Sequence, residues 1–387
     1  MNKSFRKLAL SAAIASTLVA MPMSALATNG ILGYGNGMVS HGVGGAGVAN
    51  AAEGMSAVDN PALAADVGAG WSLQLSGFNP NRSANIGNGY VESDSSWYAI
   101  PGGHWFTEVG DGIVTGLTVS ALGGMSTDYP AELFGARTGV ELSGVLVEPT
   151  IATKVSDAVS VGASLILAYE TMSSEGAGPQ GPNGPFFPMN TEDSATGWGF
   201  ELGIAFQAGP TTTLGFNYQS EIDMDAMDKH AAYLFAAASD PAMSMPTIMT
   251  VGITQKIGDN WKIVADISDV AWSDVPLLEE VFGWEDQTVY KIGAEVQINE
   301  GLAIRFGYNH GDSPIPDSAV GHNILAPAVT EDHFTVGFSK AVGARGMLHG
   351  YYARVPENEQ MQAGGPGGLP SIKMDQNAFG IGYEVKM

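Results

Sequence analysis

Short stretches in which apolar residues alternate with small or polar ones recur from about residue 70 to the last residue. Between 302 and 309, for example, Leu, Ile, Phe and Tyr occupy every second position, and Ala, Arg, Gly and Asn lie between them. The stretches 160–170 and 379–387 follow the same rule. Because side chains of a β-strand point alternately to opposite faces, this period predicts strands with one apolar face. That face is buried in a soluble sandwich but meets lipid in a membrane barrel.

The connections between the strands distinguish these two fold classes. Short turns, such as Gly110-Asp111 and Gly258-Asp259, alternate with long loops, such as 311–331 and 357–376. Short turns at one end and long loops at the other are typical of up-and-down outer-membrane barrels. We therefore predict an all-β fold, a 14-stranded antiparallel transmembrane β-barrel over residues 70–387. Its strands are expected near 70–79, 97–108, 112–123, 144–154, 159–172, 197–208, 211–222, 246–257, 260–272, 288–298, 301–310, 332–342, 346–356 and 377–387.

Three long loops have a distinctive composition. Residues 173–196 are rich in Gly and Pro, which predicts irregular structure. Residues 223–245 predict a short helix with several methionines, and residues 274–284 predict another. Methionine and aromatic side chains adapt to apolar ligands, but they also pack loops against each other. Both interpretations of these loops are open at the level of sequence.

The first residues indicate export. Lys3, Arg6 and Lys7 precede an apolar stretch, and Ala25-Leu26-Ala27 forms a cleavage site of the A-x-A type. Residues 1–27 are therefore predicted to be a secretory signal peptide, and the protein to be a multi-pass β-barrel of the bacterial outer membrane. The formal net charge of −24 excludes nucleic acid as an expected partner, because binding phosphates requires a basic surface.

Residues 28–69 have neither the helix nor the strand period. They are rich in glycine and end shortly after Asn60-Pro61-Ala62. A compact segment of this kind ahead of a barrel predicts an N-terminal hatch, or plug, inside the lumen. Residues 42–47 match the G-x-G-x-x-G pattern of dinucleotide sites, but they lack the preceding strand and the βαβ unit that such a site needs. No cofactor is predicted.

The predicted inner wall carries charged residues. By alternation, Lys291, Glu295, Arg305 and His333 point into the lumen from three neighbouring strands. They form either a mutually paired ladder that braces the wall or a site where Lys291 or Arg305 orients a ligand carboxylate. The second interpretation makes Lys291, Arg305 and His333 candidate ligand-binding residues.

Paired glycines mark a second candidate feature. Gly123-Gly124 ends the third predicted strand, and Pro101-Gly102-Gly103 lies in the strand before it. Glycine and proline weaken a β-ladder, so two adjacent weakened strands favour an opening in the wall. An ordinary transition from strand to loop is the alternative.

Signals for catalysis are weak. The chain has no cysteine, its seven histidines have no metal-ligand spacing, and the G-x-S-x-G and H-E-x-x-H motifs do not occur. We therefore predict neither an enzyme nor a metal site. Two functions of an outer-membrane barrel are kept as alternatives: a general diffusion porin and a lipid hydrolase.

The chain resembles the FadL family of outer-membrane transporters of long-chain fatty acids and hydrocarbons. The resemblance rests on the glycine-rich segment ending in Asn60-Pro61-Ala62 and on the order of several motifs among fourteen strands. These motifs are LGGMSTDYP at 122–130, MPTIMTVG at 245–252, NWKIVADISDVAWSD at 260–274, IRFGYNHGDSPIP at 304–316 and LAPAVTEDHFTVGFSKAV at 325–342.

This resemblance implies passive uptake of a fatty acid or hydrocarbon that lipopolysaccharide would otherwise exclude. The ligand would bind among the extracellular loops, enter an apolar pocket against the hatch, and leave through the barrel wall after the hatch moves. Asn60, Pro61 and Ala62 would be the hatch signature, and Gly123 and Gly124 the wall kink. The resemblance also implies a monomer surrounded by outer-membrane lipid. Barrels of this kind usually end in an aromatic residue that the barrel-assembly machinery recognises, whereas this chain ends in Met387.

Overall fold

The computed structural model of the chain describes residues 29–176, 180–181, 184–185, 191–232 and 235–387. The predicted signal peptide lies outside these residues. One antiparallel sheet of sixteen strands contains two short strands, Val91–Glu92 and Asp223–Met224, and the other fourteen form a closed barrel. In chain order, β1–β14 span Gly70–Asn85, Tyr98–Gly110, Ile113–Tyr129, Thr138–Ser156, Val159–Glu175, Thr191–Gly209, Thr212–Gln219, Ile248–Ile257, Trp261–Val270, Gln287–Asn299, Leu302–His310, Asp332–Val342, Gly346–Met361 and Ser371–Lys386.

The predicted 14-stranded barrel is confirmed, and its closure follows from the register. β1 pairs with β14 along its whole length, from Gly70 opposite Lys386 to Asn85 opposite Ser371. Each strand also pairs with the next in sequence, so no strand of the barrel is left as an open edge. Closure satisfies the backbone hydrogen bonds along the wall, which is the condition for a sheet to cross a bilayer, except where the ladder between β2 and β3 stops at Gly103 and Val119.

Alternation sorts side chains between lipid and lumen as predicted. On β5, Leu165 and Leu167 are exposed, whereas Ile166 and Ala168, which alternate with them, are buried. On β11, Phe306 is exposed on the outer face and Arg305 is buried on the inner face. Large apolar side chains exposed around the outer wall fit a hydrocarbon solvent.

Several predicted strand boundaries are wrong at the end with the long loops. β1 continues to Asn85, β3 to Tyr129 and β13 to Met361, and β4 begins already at Thr138. β3 therefore does not end at Gly123-Gly124 but runs through this pair. These additional residues pair with neighbouring strands, so the ladder extends where the sequence no longer has a clear apolar face.

Helical structure is confined to single turns and short pieces. Within the described residues, no helix is long and apolar enough to cross a membrane. The predicted helix in 223–245 is a single turn, and the one in 274–284 is a π-helical turn preceded by a 3-10 turn. In 173–196, β5 and β6 extend into the predicted loop and a small hairpin pairs 180–181 with 184–185. The helical pieces are Met38–Gly42, Ser56–Asp59, Pro61–Leu63, Ala64–Val67, Ala131–Phe134, Asp228–Ala231, Trp272–Asp274, Leu277–Val281, Asp317–Asn323 and Pro366–Gly368.

Residues 29–69, which we call the inner segment, lie inside the barrel. Val43, Ala46 and Ala62 are completely buried although the segment has only short helices of its own. Its backbone is held by the wall: Asp266 of β9 accepts hydrogen bonds from the amides of Gly47 and Val48, at 2.7 and 3.0 Å. The segment therefore fills the lumen through contacts with the wall.

Glycines of the wall permit this close approach. A Cβ atom at Gly307 would overlap the amide nitrogen of Gly44, and one at Gly162 would overlap the carbonyl carbon of Pro61. Because only glycine lacks this atom, the backbone of the inner segment can touch the wall directly. We call the wall residues that share this property the glycine belt: Gly162, Gly203, Gly215, Gly293 and Gly307.

Candidate functional site

A cavity of about 110 Å³ lies between the inner segment and the wall. Its lining has two kinds of side chain. The apolar ones include Leu32, Leu122, Leu146, Ile222, Ile248, Val270 and Val289. The polar ones include Asn29, Asp59, Glu148, Glu201, Asn217, Asp266 and Lys291. Such a cavity can hold the apolar body of a small molecule and offer polar groups to one end of it.

The ionisable side chains that line the cavity are mainly acidic. Four carboxyl side chains and one ammonium, that of Lys291, line it. Burial raises the pKa of the Asp59 carboxyl to about 7, although a hydrogen bond from Asn36 acts in the opposite direction. Asp59 belongs to the inner segment, so this segment brings a titratable group to the cavity.

An apolar cluster continues from the cavity into the long loops. Ile31 of the inner segment and Leu122 of β3 belong to the same cluster as Met224, Phe235 and Trp284 of the loops. Trp272 packs so closely on the inner segment that a Cβ atom at Gly30 would overlap its ring. One apolar cluster therefore connects the loop end of the interior with the start of the inner segment.

Asn60 fixes the fold of the inner segment and joins it to the wall. Its side-chain oxygen accepts a hydrogen bond from the amide of Ala62 at 3.0 Å, which caps the 3-10 turn begun by Pro61. Its side-chain nitrogen donates to the carbonyls of Val48, at 2.7 Å, and Ile204 on β6, at 3.1 Å. Asn60 is completely buried. The predicted Asn60-Pro61-Ala62 signature is thus an anchor between two parts of the inner segment and the barrel.

Replacement of Asn60 by Ala is expected to loosen the inner segment while the barrel stays folded. The change removes three hydrogen bonds of a completely buried side chain, each worth about 0.5 to 1.5 kcal/mol. Hydrogen–deuterium exchange of the purified protein should then be faster in peptides covering 44–63. The matched control is Asn81→Ala, which removes an exposed asparagine from the outer wall. Equal exchange in the two variants would contradict the anchor role.

The glycine pair of β3 lies against the start of the inner segment. Gly123 has a φ of +125°, a conformation that side chains larger than glycine rarely adopt. The amide of Gly124 donates to the carbonyl of Ile31 at 2.9 Å. The register between β3 and β4 also shifts between Ala121 and Gly123, so the strand is bent at this point. The predicted kink is present, and the inner segment occupies it.

The wall is incomplete beside this kink. β2 and β3 are described throughout, and their ladder runs only from Gly110 opposite Ile113 to Gly103 opposite Val119. Beyond Val119, β3 pairs with β4 and not with β2. We call this opening the wall gap. A cavity of about 30 Å³ lies there, lined by Ile100, Pro101, Ser120, Ala121 and Gly123 together with residues of the inner segment.

The three predicted cationic site residues all point inward but do not form one site. Lys291 lines the cavity beside Asp59 and Asp266. Arg305 pairs with Glu295 at 2.5 Å, and Glu295 also pairs with Lys262 at 3.0 Å.

His333 is completely buried, and its ring centroid lies 5.2 Å from that of Tyr34 in the inner segment. Of the three residues, only Lys291 lines the cavity. Arg305 belongs to a paired ladder and His333 to the packing of the inner segment.

Sequence reasoning missed most of the polar cavity residues. Glu148, Glu201 and Asp266 were not singled out, although the alternation that identified Lys291 also directs them inward. The sequence does not define the position of the inner segment along the barrel axis. This position decides which inward-facing residues of the wall meet at the cavity.

Comparison with known proteins was made for sequence and fold. No curated protein sequence matches the chain. The toluene transporter TodX of P. putida aligns with a TM-score of 0.72 and 16% identity, covering 92% of this chain and 99% of TodX. The toluene transporter TbuX of Ralstonia pickettii aligns with a TM-score of 0.69 and 18% identity, covering 92% and 99%. A Pseudomonas aeruginosa FadL homologue aligns with a TM-score of 0.70 and 13% identity, covering 94% and 99%. At these identities the likeness establishes the barrel fold.

The family itself follows from a sequence model. The model of the family described as outer membrane protein transport protein (OMPP1/FadL/TodX) matches residues 38–348. The match begins in the inner segment and ends in β13, so it covers most of the chain. This protein therefore belongs to the OMPP1/FadL/TodX family and is an outer-membrane β-barrel of the transport class.

Proposed function

We propose that this protein takes up small hydrophobic molecules passively, through the cavity and the wall gap. One observation carries the proposal: the cavity and the gap share lining residues. Gly33, Gly35 and Asn36 of the inner segment and Ala121 of β3 line both. A small movement of these residues joins the two spaces, so a ligand in the cavity has a short path to the membrane.

The proposed route begins at the loops. The apolar cluster of the long loops takes the ligand out of water, and burial of apolar surface drives this step. The ligand then enters the cavity next to Ile31 and Leu122, where it meets the inner segment. This segment acts as a hatch: its start shifts away from Gly123, and the ligand leaves sideways between β2 and β3. Transport needs no energy source because it follows the concentration gradient.

The similarity to transporters of toluene supports a compact apolar ligand. Both TodX and TbuX are described as toluene transporters, and the cavity volume is close to that of an engineered cavity of about 150 Å³ that binds benzene. A monoaromatic ring is thus a suitable size for the ligand. A long-chain fatty acid is the alternative ligand, and uptake of oleate distinguishes it from a monoaromatic hydrocarbon.

Deletion of the gene is expected to slow uptake of a labelled monoaromatic hydrocarbon, such as p-xylene, and of labelled oleate if fatty acids share the route. Complementation with the wild-type gene should restore the rate. Uptake of a labelled sugar is the control, because a passive hydrophobic channel has no effect on it. Unchanged uptake of hydrocarbon and oleate in the deletion strain would refute the proposed function.

A further inference from the structure

Several buried polar groups of the cavity have no hydrogen-bond partner among the described residues; besides three side-chain acceptors, they include Oδ2 of Asp59 and the hydroxyl of Tyr34. The side-chain oxygens Oδ1 of Asn29, Oε2 of Glu201 and Oδ1 of Asn217 are buried and have no hydrogen-bond partner among the described residues. The three side chains belong to residues that are 4%, 1% and 6% exposed, and all three line the cavity. Buried acceptors in native proteins are normally paired, so these three call for a donor from outside the chain.

The charges of the cavity point to the same kind of ligand. Asp59, Glu148, Glu201 and Asp266 surround one ammonium, that of Lys291. Lys291 favours the ionised form of both Asp59 and Asp266. An entering carboxylate would therefore compete with these two residues for the one ammonium of the cavity.

We propose that the cavity selects hydrophobic molecules about the size of one aromatic ring that carry a hydroxyl group, and that it rejects carboxylates. The apolar residues hold the ring, and the hydroxyl donates to one of the unpaired oxygens. This inference rests on the proposed function and specifies its substrate class as phenol-like compounds. The hydroxyl also accepts a hydrogen bond from Lys291 without adding negative charge.

The competing interpretation is a carboxylate paired with a lumenal cation. Arg305 does not support it, because its Nε atom is already bonded to Glu295 and the residue does not line the cavity. Lys291 alone would have to balance the ligand against four carboxyl groups. Geometry and charge together therefore favour an uncharged donor.

Three ligands with the same ring and methyl group test the inference: p-cresol, p-xylene and 4-methylbenzoate. Their binding to the full-length purified protein is measured by titration calorimetry at pH 8, with heats from a detergent blank subtracted. At this pH the phenol is neutral and the benzoate is ionised. We expect p-cresol to bind about tenfold more tightly than p-xylene, as one net hydrogen bond contributes. We expect no measurable binding of 4-methylbenzoate.

A double variant tests the origin of this preference. Glu148→Gln with Glu201→Gln keeps the shape of the cavity and replaces two carboxyl groups by uncharged amides, whose NH₂ groups can donate to a ligand carboxylate. It should make 4-methylbenzoate binding measurable and reduce the advantage of p-cresol over p-xylene. The matched control is Glu170→Gln, a buried glutamate of the inner wall of β5 that does not line the cavity. This control should leave all three affinities unchanged.

Three results would overturn the inference. Equal affinity for p-cresol and p-xylene would exclude a role for the hydroxyl, and tight binding of 4-methylbenzoate that is lost in Lys291→Met would establish a carboxylate site. Absence of binding for all three ligands would also overturn it. Uptake of p-xylene by cells distinguishes failure of this inference from failure of the proposed function. If uptake still depends on the gene but binding shows no preference for a hydroxyl group, only the inference fails.

Discussion

Removal of residues 29–69 is expected to convert this barrel from a closed channel into one that carries a steady ion current. The inner segment fills the lumen, with Val43, Ala46 and Ala62 completely buried, and its removal exposes the polar inner wall to water. A water-filled lumen with polar walls conducts ions, as in porins. Single-channel recording in planar bilayers should therefore show stable conductance for the deletion variant and none for the wild type.

A point variant keeps this expectation testable if the deletion variant does not fold. Gly307→Leu places a side chain where the glycine belt meets Gly44, so the inner segment must move away from the wall. It should also show current. The control is Gly209→Leu at the short-turn end of β6, where an added Cβ meets nothing within 4 Å. Steady large conductance of the wild type would contradict the closed lumen and favour the diffusion-porin alternative.

The barrel could be predicted from the sequence because two independent periodicities agree. Alternation along the strands defines the lipid face, and the alternation of short turns with long loops defines the two ends. The strand ends at the loop side could not be predicted in the same way. At the loop end, residues such as Thr138 and Met361 pair in the ladder, but the outward positions near them are mostly small or polar, so the apolar face that marks a strand is missing.

The candidate site was predictable only where a residue type is unusual for its position. Paired glycines at Gly123-Gly124 favoured either a kink or an ordinary end of the strand, and the resemblance implied that Asn60-Pro61-Ala62 belongs to a hatch. The hydrogen bonds by which Asn60 anchors the inner segment are visible only in the structure. The abundance of glycine was evident in the composition. Which glycines of the wall meet the inner segment depends on contacts between residues far apart in the chain, and the composition does not show this. The same holds for the cavity, in which Asp59 of the inner segment meets Glu201 of the wall.

Hatch movement and lateral exit are the steps of the proposed route that depend most on Gly123. Replacement of Gly123 by Val is expected to reduce uptake of p-xylene by about tenfold or more, because the added side chain obstructs the movement of the inner segment, and each additional barrier of about 1.4 kcal/mol slows a rate tenfold. The added side chain would overlap the carbonyl oxygen of Ile31, at the point where the inner segment enters the kink. Uptake is measured in cells with rates normalised to the amount of folded barrel.

The control for this variant must introduce the same kind of backbone strain at a position outside the proposed exit path. Gly135→Val meets this condition, because Gly135 has a φ of +81° and an added Cβ there meets nothing within 4 Å. Backbone strain is expected to lower the yield of folded protein in both variants. The uptake of Gly135→Val, normalised to folded protein, should nevertheless stay at the wild-type level. A specific loss in Gly123→Val then assigns the effect to the wall gap. Normal uptake in Gly123→Val would exclude exit beside the kink and require a path past the inner segment toward the short turns.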